Sequence, residues 1–233
     1  MEFLNQVSIV KISIFILSIL CYSSCKQPSQ PKQATETSIK NETPLERLMN
    51  GNIRFANAKS IHPDESLERL KSVVKEQHPF AIIVCCSDSR VSPELLFDQG
   101  VGDIFTIRTA GNIIGNVELG SIEYAVEHLN VKLIMIMGHE SCGAVDAFVK
   151  GGVAPGHIKD IIDSLKAEIE IKAIAANDPN RLDDCVIANV LHGIKQLKMQ
   201  SNIISEKLEN KELEIVGARY DLHNFNVKIF RRE

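Results

Sequence analysis

The fold is decided by residues 80–86, which read FAIIVCC. A continuous apolar run of this length is typical of a strand that is buried on both faces of a parallel sheet. Residues 131–137, VKLIMIM, predict a second strand of the same kind, and residues 103–108 and 213–218 predict two more. Helical patterns lie between these strands, so the sequence predicts an α/β fold with a mainly parallel central sheet flanked by helices.

The predicted helices are the segments in which apolar residues recur at helical spacing. They cover residues 44–58, 66–77, 117–129, 158–176 and 181–209. The chain has 233 residues, of which 44% are hydrophobic, which is enough for one domain with a sizeable core. The formal net charge is −4 and no basic stripe stands out, so nucleic acid is not expected as a partner.

Polar residues that can bind metals follow two of the predicted strands. Residues 86–90, CSDSR, come directly after the first apolar run, and residues 138–143, GHESCG, follow the run at 131–137. In open α/β sheets, ligands bind outside the carboxyl ends of the strands. The two motifs can therefore converge on one site although Cys86 and His139 lie 53 positions apart.

The side chains in these motifs indicate a mononuclear zinc site. Zinc prefers thiolate and imidazole ligands, and a catalytic site keeps three protein ligands and an open fourth position. His139 and Cys142 are spaced so that both can face one point from a turn. The third ligand is Cys85 or Cys86, because neighbouring strand residues point to opposite faces. The pattern alone does not choose between them, but the two sulfur ligands favour zinc over magnesium or calcium.

In combination, the two motifs resemble those of the β-carbonic anhydrase family. Residues 86–90 match its Cys-x-Asp-x-Arg motif, and residues 139–143 match its second motif. Residues 51–55, GNIRF, and 110–112, AGN, are similar as well, and the resemblance covers about residues 44–227. It implies that the chain is an enzyme that hydrates carbon dioxide reversibly to bicarbonate and a proton, through attack by a zinc-bound hydroxide.

The resemblance also implies a role for each matching residue. One zinc ion per chain is expected on Cys86, His139 and Cys142, with Asp88 and Arg90 as the catalytic dyad. The expected substrate-binding residues are Gln77, Phe105, Ala110, Tyr124 and Gly143. Members of the family form homodimers and larger homo-oligomers, and the glutamine often acts across the subunit interface. We therefore expect this chain to be at least a homodimer.

Two other functions use the same zinc site. One is a related zinc hydrolase on this scaffold that acts on a substrate of the carbon disulfide type, with the same active residues. The other is a zinc-binding lipoprotein without activity, which would not need Asp88, Arg90 or Gln77. Because all three residues are present, the second alternative is the weaker one.

The amino-terminal segment predicts export. Residues 9–21 are mostly apolar and too few to span a membrane, and YSSC at 22–25 resembles a bacterial lipoprotein processing site. We predict a signal peptide at 1–25 with lipidation of Cys25, while plain secretion and an uncleaved anchor are the alternatives. Residues 26–43 predict a flexible linker and 44–233 the catalytic domain. The expected location is the periplasmic side of a bacterial membrane, with the lipid as the sole membrane contact.

Overall fold

The computed structural model describes Glu42–Glu233. The predicted signal peptide, including Cys25, and linker residues 26–41 lie outside the described residues. Within Glu42–Glu233, no helix combines the length and the apolar character needed to cross a membrane.

The described domain contains a mixed but mainly parallel sheet, which confirms the predicted fold class. Its strands are β1 (Ala81–Cys86), β2 (Ile104–Thr109), β3 (Leu133–His139), β4 (Glu214–Tyr220) and β5 (Val227–Arg232). The order across the sheet is β2-β1-β3-β4-β5. The first four strands are parallel, and β5 runs antiparallel to β4. Every residue of β1 and β3 is buried, which explains their uninterrupted apolar sequences.

Helices supply the rest of three clusters of buried hydrophobic residues. They are α1 (Pro44–Ala56), α2 (Leu67–Ser72), α3 (Pro93–Leu96), α4 (Asn116–His128), α5 (Gly143–Lys150), α6 (Ile158–Ala167), α7 (Ile169–Lys172), α8 (Arg181–Gln200) and α9 (Asn202–Glu209). Alternate strand residues enter different cores. Ile82 packs with residues of α4 and α8, whereas Ile83 packs with residues of α1 and α3. The sheet is therefore covered on both faces, and its carboxyl edge carries the polar motifs.

Several predicted boundaries differ from the structure. The predicted helix at 66–77 ends at Ser72, because α2 buries no side chain that could stabilise further turns. The predicted helix at 181–209 is divided at Ser201, whose hydroxyl accepts the N–H of Ile204 as an N-cap. The short helix α5 and the antiparallel edge strand β5 were not predicted. Thr43, the last residue of the predicted linker, caps α1.

Asn52 joins α1 to the segment that enters β5. Its Nδ2 donates to the carbonyls of Leu96 (3.1 Å) and Phe225 (3.0 Å), and its Oδ1 accepts the N–H of Val227 (2.8 Å). The side chain is 1% exposed, so water cannot replace these bonds. Asn52 therefore holds the turn before β5, two residues of which also donate hydrogen bonds to Glu140.

We expect Asn52→Ala to lower the free energy of unfolding by about 3 kcal/mol or more, because three main-chain groups lose their partner inside the core. Urea unfolding of both proteins measures the loss. Asn50→Ala is the matched control, since Asn50 lies on the exposed face of the same helix and, among the described residues, its side chain donates only to Glu42. A loss at position 50 as large as that at position 52 would contradict this role.

Candidate metal centre

Cys86, His139 and Cys142 meet at the carboxyl edge of the sheet. Cys86 ends β1, His139 ends β3, and Cys142 is the N-cap residue of α5. All three side chains are buried, and their ligand atoms lie within 4.8 Å of one another. The two Sγ atoms are 4.0 Å apart. Two thiolates on one tetrahedral zinc ion, at about 2.3 Å each, would be about 3.8 Å apart, so the spacing fits.

The imidazole of His139 is oriented as a metal ligand. Its Nδ1 lies 2.8 Å from the carbonyl oxygen of Glu140, and a carbonyl only accepts, so Nδ1 carries the proton. The other nitrogen, Nε2, therefore offers a lone pair. It is buried beside the two sulfur atoms and has no hydrogen-bond partner among residues 42–233, the part of the chain that the structure describes. A buried acceptor without a partner is rare, and a bound cation would satisfy it.

The two sulfur atoms also fit a dication. The sulfur of Cys86 accepts the N–H groups of Asp88 (3.4 Å) and Gly111 (3.3 Å). Gly111 has a φ of +69°, a left-handed conformation that glycine adopts readily. A hydrogen bond from the Cys142 thiol lowers the pKa of Cys86, and the same bond raises the pKa of Cys142. Without a cation, ionisation of one thiol therefore disfavours ionisation of the other. A bound dication allows both sulfurs to be thiolates at the same time.

Cys85 lies on the other side of the sheet from this centre. It is fully buried in the core that contains Met135 and Met137. Burial raises the pKa of its thiol to about 12. Of the two candidates that the sequence pattern left open, the structure brings Cys86 to the other ligands and leaves Cys85 among apolar side chains.

Asp88 and Arg90 form a bidentate ion pair next to the three ligands. Arg90 Nε donates to Asp88 Oδ1 (2.9 Å), and Arg90 Nη2 donates to Oδ2 (2.7 Å). These hydrogen bonds hold the pKa of Asp88 well below its usual range. Asp88 Oδ2 is 3.9 Å from His139 Nε2, so the carboxylate faces the ligand group. Arg108 fixes the loop by donating to the carbonyls of Cys86 and Asp88.

The predicted substrate-binding residues fall into two groups. Ala110 begins the short 3-10 turn that contains Gly111, and Gly143 follows Cys142, so both lie at the metal centre. Within the described residues, no atom beyond the chain neighbours and the backbone of α5 lies within 4 Å of where a Cβ on Gly143 would be, so there is open space beside it.

Gln77, Phe105 and Tyr124 are not brought to this centre within one chain. Phe105 pairs with Ile82, at the start of β1, and a strand advances about 3.3 Å per residue, which places it about 13 Å from the end that carries Cys86. Its ring is 6.4 Å from that of Tyr124, and Gln77 lines the same surface cavity as Tyr124. These three residues form a separate group on the chain, so their role in substrate binding stays a prediction.

Glu140, which the sequence analysis did not single out, also contributes hydrogen bonds around the metal centre. Its Oε2 accepts the main-chain N–H of Leu222 (3.0 Å) and Nδ1 of His223 (2.8 Å). The hydrogen bond from His223 lowers the pKa of Glu140. Glu140, Asp221 and His223 are close enough together to hold an ion, but hydrogen bonds already engage their ligand atoms. In the sequence, Glu140 is noticeable only as an acidic residue between two predicted ligands. Its hydrogen-bond partners lie more than 80 positions away, so its role could not be predicted from the local motif.

A family model described as carbonic anhydrase matches residues 81–227. A protein named carbonic anhydrase from Mycolicibacterium smegmatis is 40% identical over 186 residues, which cover 78% of this chain and 89% of the relative. A protein named carbonic anhydrase 2 from Mycobacterium tuberculosis is 38% identical over 179 residues, which cover 75% of this chain and 86% of the relative. The similarity therefore spans most of each protein.

Solved structures are similar as well. The β-carbonic anhydrase CcaA superposes with a TM-score of 0.64 at 27% identity, covering 81% of this chain and 88% of that one. A structure from a report on two tetrameric β-carbonic anhydrases of the ascomycete Sordaria macrospora superposes with a TM-score of 0.63 at 26% identity. That match covers 82% of this chain and 100% of the other.

Proposed function

The chain belongs to the β-class carbonic anhydrase family and is an enzyme of that kind, and from this premise we propose its mechanism: reversible hydration of carbon dioxide with one zinc ion on Cys86, His139 and Cys142. The observation that carries the proposal is the unpartnered Nε2 of buried His139, which faces two cysteine sulfurs 4.0 Å apart. Two thiolates and one imidazole leave a fourth position open on a tetrahedral ion.

When bound by these three residues, a zinc ion would act as a Lewis acid and would lower the pKa of a water molecule from about 15.7 toward about 7. The protein contributes the orientation of its ligands. The Glu140 carbonyl keeps the lone pair of His139 on Nε2. The N–H groups of Asp88 and Gly111 direct the sulfur of Cys86 toward the other ligands.

Asp88 is proposed to orient the attacking water. Its ionised Oδ2 can accept a hydrogen bond from that water, which directs the oxygen lone pair at the carbon of the substrate. Arg90 holds the carboxylate with two parallel hydrogen bonds, and the low pKa of Asp88 keeps it ionised at neutral pH. Asp88 therefore acts as a fixed acceptor rather than as a store for the released proton.

A second copy of the chain is proposed to complete the carbon dioxide pocket. Ala110 and Gly143 can border the open fourth position, whereas Gln77, Phe105 and Tyr124 lie toward the other end of the sheet in the same chain. A homodimer or larger homo-oligomer could bring this group to a neighbour's zinc site. Exposed apolar side chains beside Gln77 support the proposal, since Val74 is 78% and Tyr124 is 47% exposed. The Sordaria enzymes, described as tetrameric, support it too.

We also propose that the enzyme works outside the cytoplasm, held at the periplasmic side of a membrane by a lipid on Cys25. The support is the amino-terminal sequence, with its apolar stretch at 9–21 and small residues before Cys25. No observation favours the alternative of a hydrolase acting on a carbon disulfide-type substrate. The other alternative, a zinc-binding lipoprotein that has no activity, is not supported either, because the chain belongs to an enzyme family.

Stopped-flow measurement of carbon dioxide hydration tests the proposed function. We expect the purified protein with its zinc to reach a kcat/KM within the usual enzymatic range of about 10⁴ to 10⁸ M⁻¹s⁻¹. Zinc content is measured on the same sample, so that activity is compared at known occupancy. A protein with full zinc occupancy that does not accelerate hydration would refute the proposal.

A further inference from the structure

We propose that Glu140 is a positioning residue that couples the turn between β4 and β5 to the metal ligand His139. This inference rests on the proposed function, because it assumes that His139 binds zinc. Glu140 follows the ligand directly, and each of its three polar groups has a separate partner.

The main chain of Glu140 fixes the imidazole. Its carbonyl accepts Nδ1 of His139 at 2.8 Å, and its N–H donates to the carbonyl of Tyr220 in β4 at 2.9 Å. The following residue, Ser141, has a φ of +52°. A left-handed conformation is unfavourable for a residue other than glycine, so the peptide that presents the carbonyl needs support from outside the loop.

The side chain of Glu140 provides that support. Its Oε2 accepts the N–H of Leu222 and Nδ1 of His223, both in the turn between β4 and β5. Arg219 lies 4.0 Å from Oε1 and also donates to Asp221 in the same turn (3.4 Å). The carboxylate therefore connects a hairpin turn, about 80 positions away in sequence, to the peptide that orients the ligand.

This arrangement predicts an effect on zinc affinity. When a group that orients a metal ligand is removed, affinity typically falls by a factor of about 10 to 100. We expect Glu140→Ala to weaken zinc binding by about tenfold or more, measured by competition with a chelator of known affinity on the full chain. Glu140→Gln should stay within about threefold of the parent, because one amide oxygen can accept both hydrogen bonds.

His223→Ala gives a second measurement if Glu140→Ala does not fold. His223 is exposed, and its removal eliminates one of the two hydrogen bonds to the carboxylate. We expect a loss of zinc affinity in the same direction but smaller, about threefold. The visible spectrum of the cobalt-substituted protein reports ligand geometry directly, and we expect it to change in Glu140→Ala and to be restored in Glu140→Gln.

Glu118→Ala is the matched control. Glu118 is also partly buried, and its carboxylate accepts one main-chain N–H, that of Gly115, at the start of α4. Its loss should lower the melting temperature without changing zinc affinity. The inference fails if Glu140→Ala binds zinc within twofold of the parent, if Glu118→Ala weakens zinc equally, or if Glu140→Gln is as defective as Glu140→Ala. A parent protein without zinc or hydration activity would instead refute the proposed function.

Discussion

Replacing Cys86 with alanine is expected to remove zinc from the protein and to lower carbon dioxide hydration by roughly a thousandfold or more. The thiolate of Cys86 is one of three proposed ligands, and its sulfur faces both Cys142 and His139. Two remaining ligands bind zinc much more weakly and leave more than one open position. Metal analysis and a stopped-flow assay on the same sample measure both losses.

The neighbouring cysteine provides a matched control for this prediction. Cys85 differs from Cys86 by one position in sequence, but its side chain enters the opposite core. Cys85→Ala should lower the free energy of unfolding by about 1 to 2 kcal/mol through the cavity that it leaves. Zinc content and activity should stay at the parent level. The assignment of the ligand is wrong if Cys85→Ala loses zinc, or if Cys86→Ala keeps it.

Replacing Asp88 with asparagine is expected to keep zinc and to lower kcat by roughly 10² to 10³. The amide has almost the same shape as the carboxylate but carries no charge, and Arg90 then holds it less firmly. Because Asp88 is not one of the three ligands, metal content should not change. Stopped-flow kinetics and zinc analysis of the variant separate these two effects.

Two further variants sharpen the test of the dyad. Arg90→Lys cannot form the bidentate fork, so we expect about a tenfold loss of kcat with zinc retained. Asp146→Asn is the control, since the one side-chain partner of Asp146 in the described part of the chain is Lys150, with which it forms an ion pair. Its activity should stay within twofold of the parent. An Asp88→Asn variant that keeps more than a third of its turnover would remove Asp88 from the mechanism.

The parallel sheet could be predicted from the sequence because its central strands are buried on both faces. The run at 80–86 is apolar throughout, as is the run at 131–137 after Lys132, and these stretches formed β1 and most of β3. Strand β5 could not be predicted in the same way. Its sequence at 227–232, VKIFRR, is half charged, and among the described strands it lies at the edge of the sheet and pairs only with β4.

The metal group could be predicted because its chemistry is concentrated in two short motifs at equivalent strand ends. The choice between Cys85 and Cys86 needed the resemblance, and the structure gives the physical reason in the opposite directions of the two side chains. The support from Glu140 could not be read from sequence, since its partner His223 is 83 positions away. For Gln77, the resemblance implies a role in substrate binding, but this residue lies away from the metal centre of its own chain.

Zinc titration into metal-free protein tests the central claim most directly. Chelation should remove the metal from Cys86, His139 and Cys142 and abolish carbon dioxide hydration. Activity should then return in proportion to added zinc and stop rising at one zinc ion per chain. Hydration that persists without zinc, or that fails to return when one zinc ion per chain has been bound, would contradict this account.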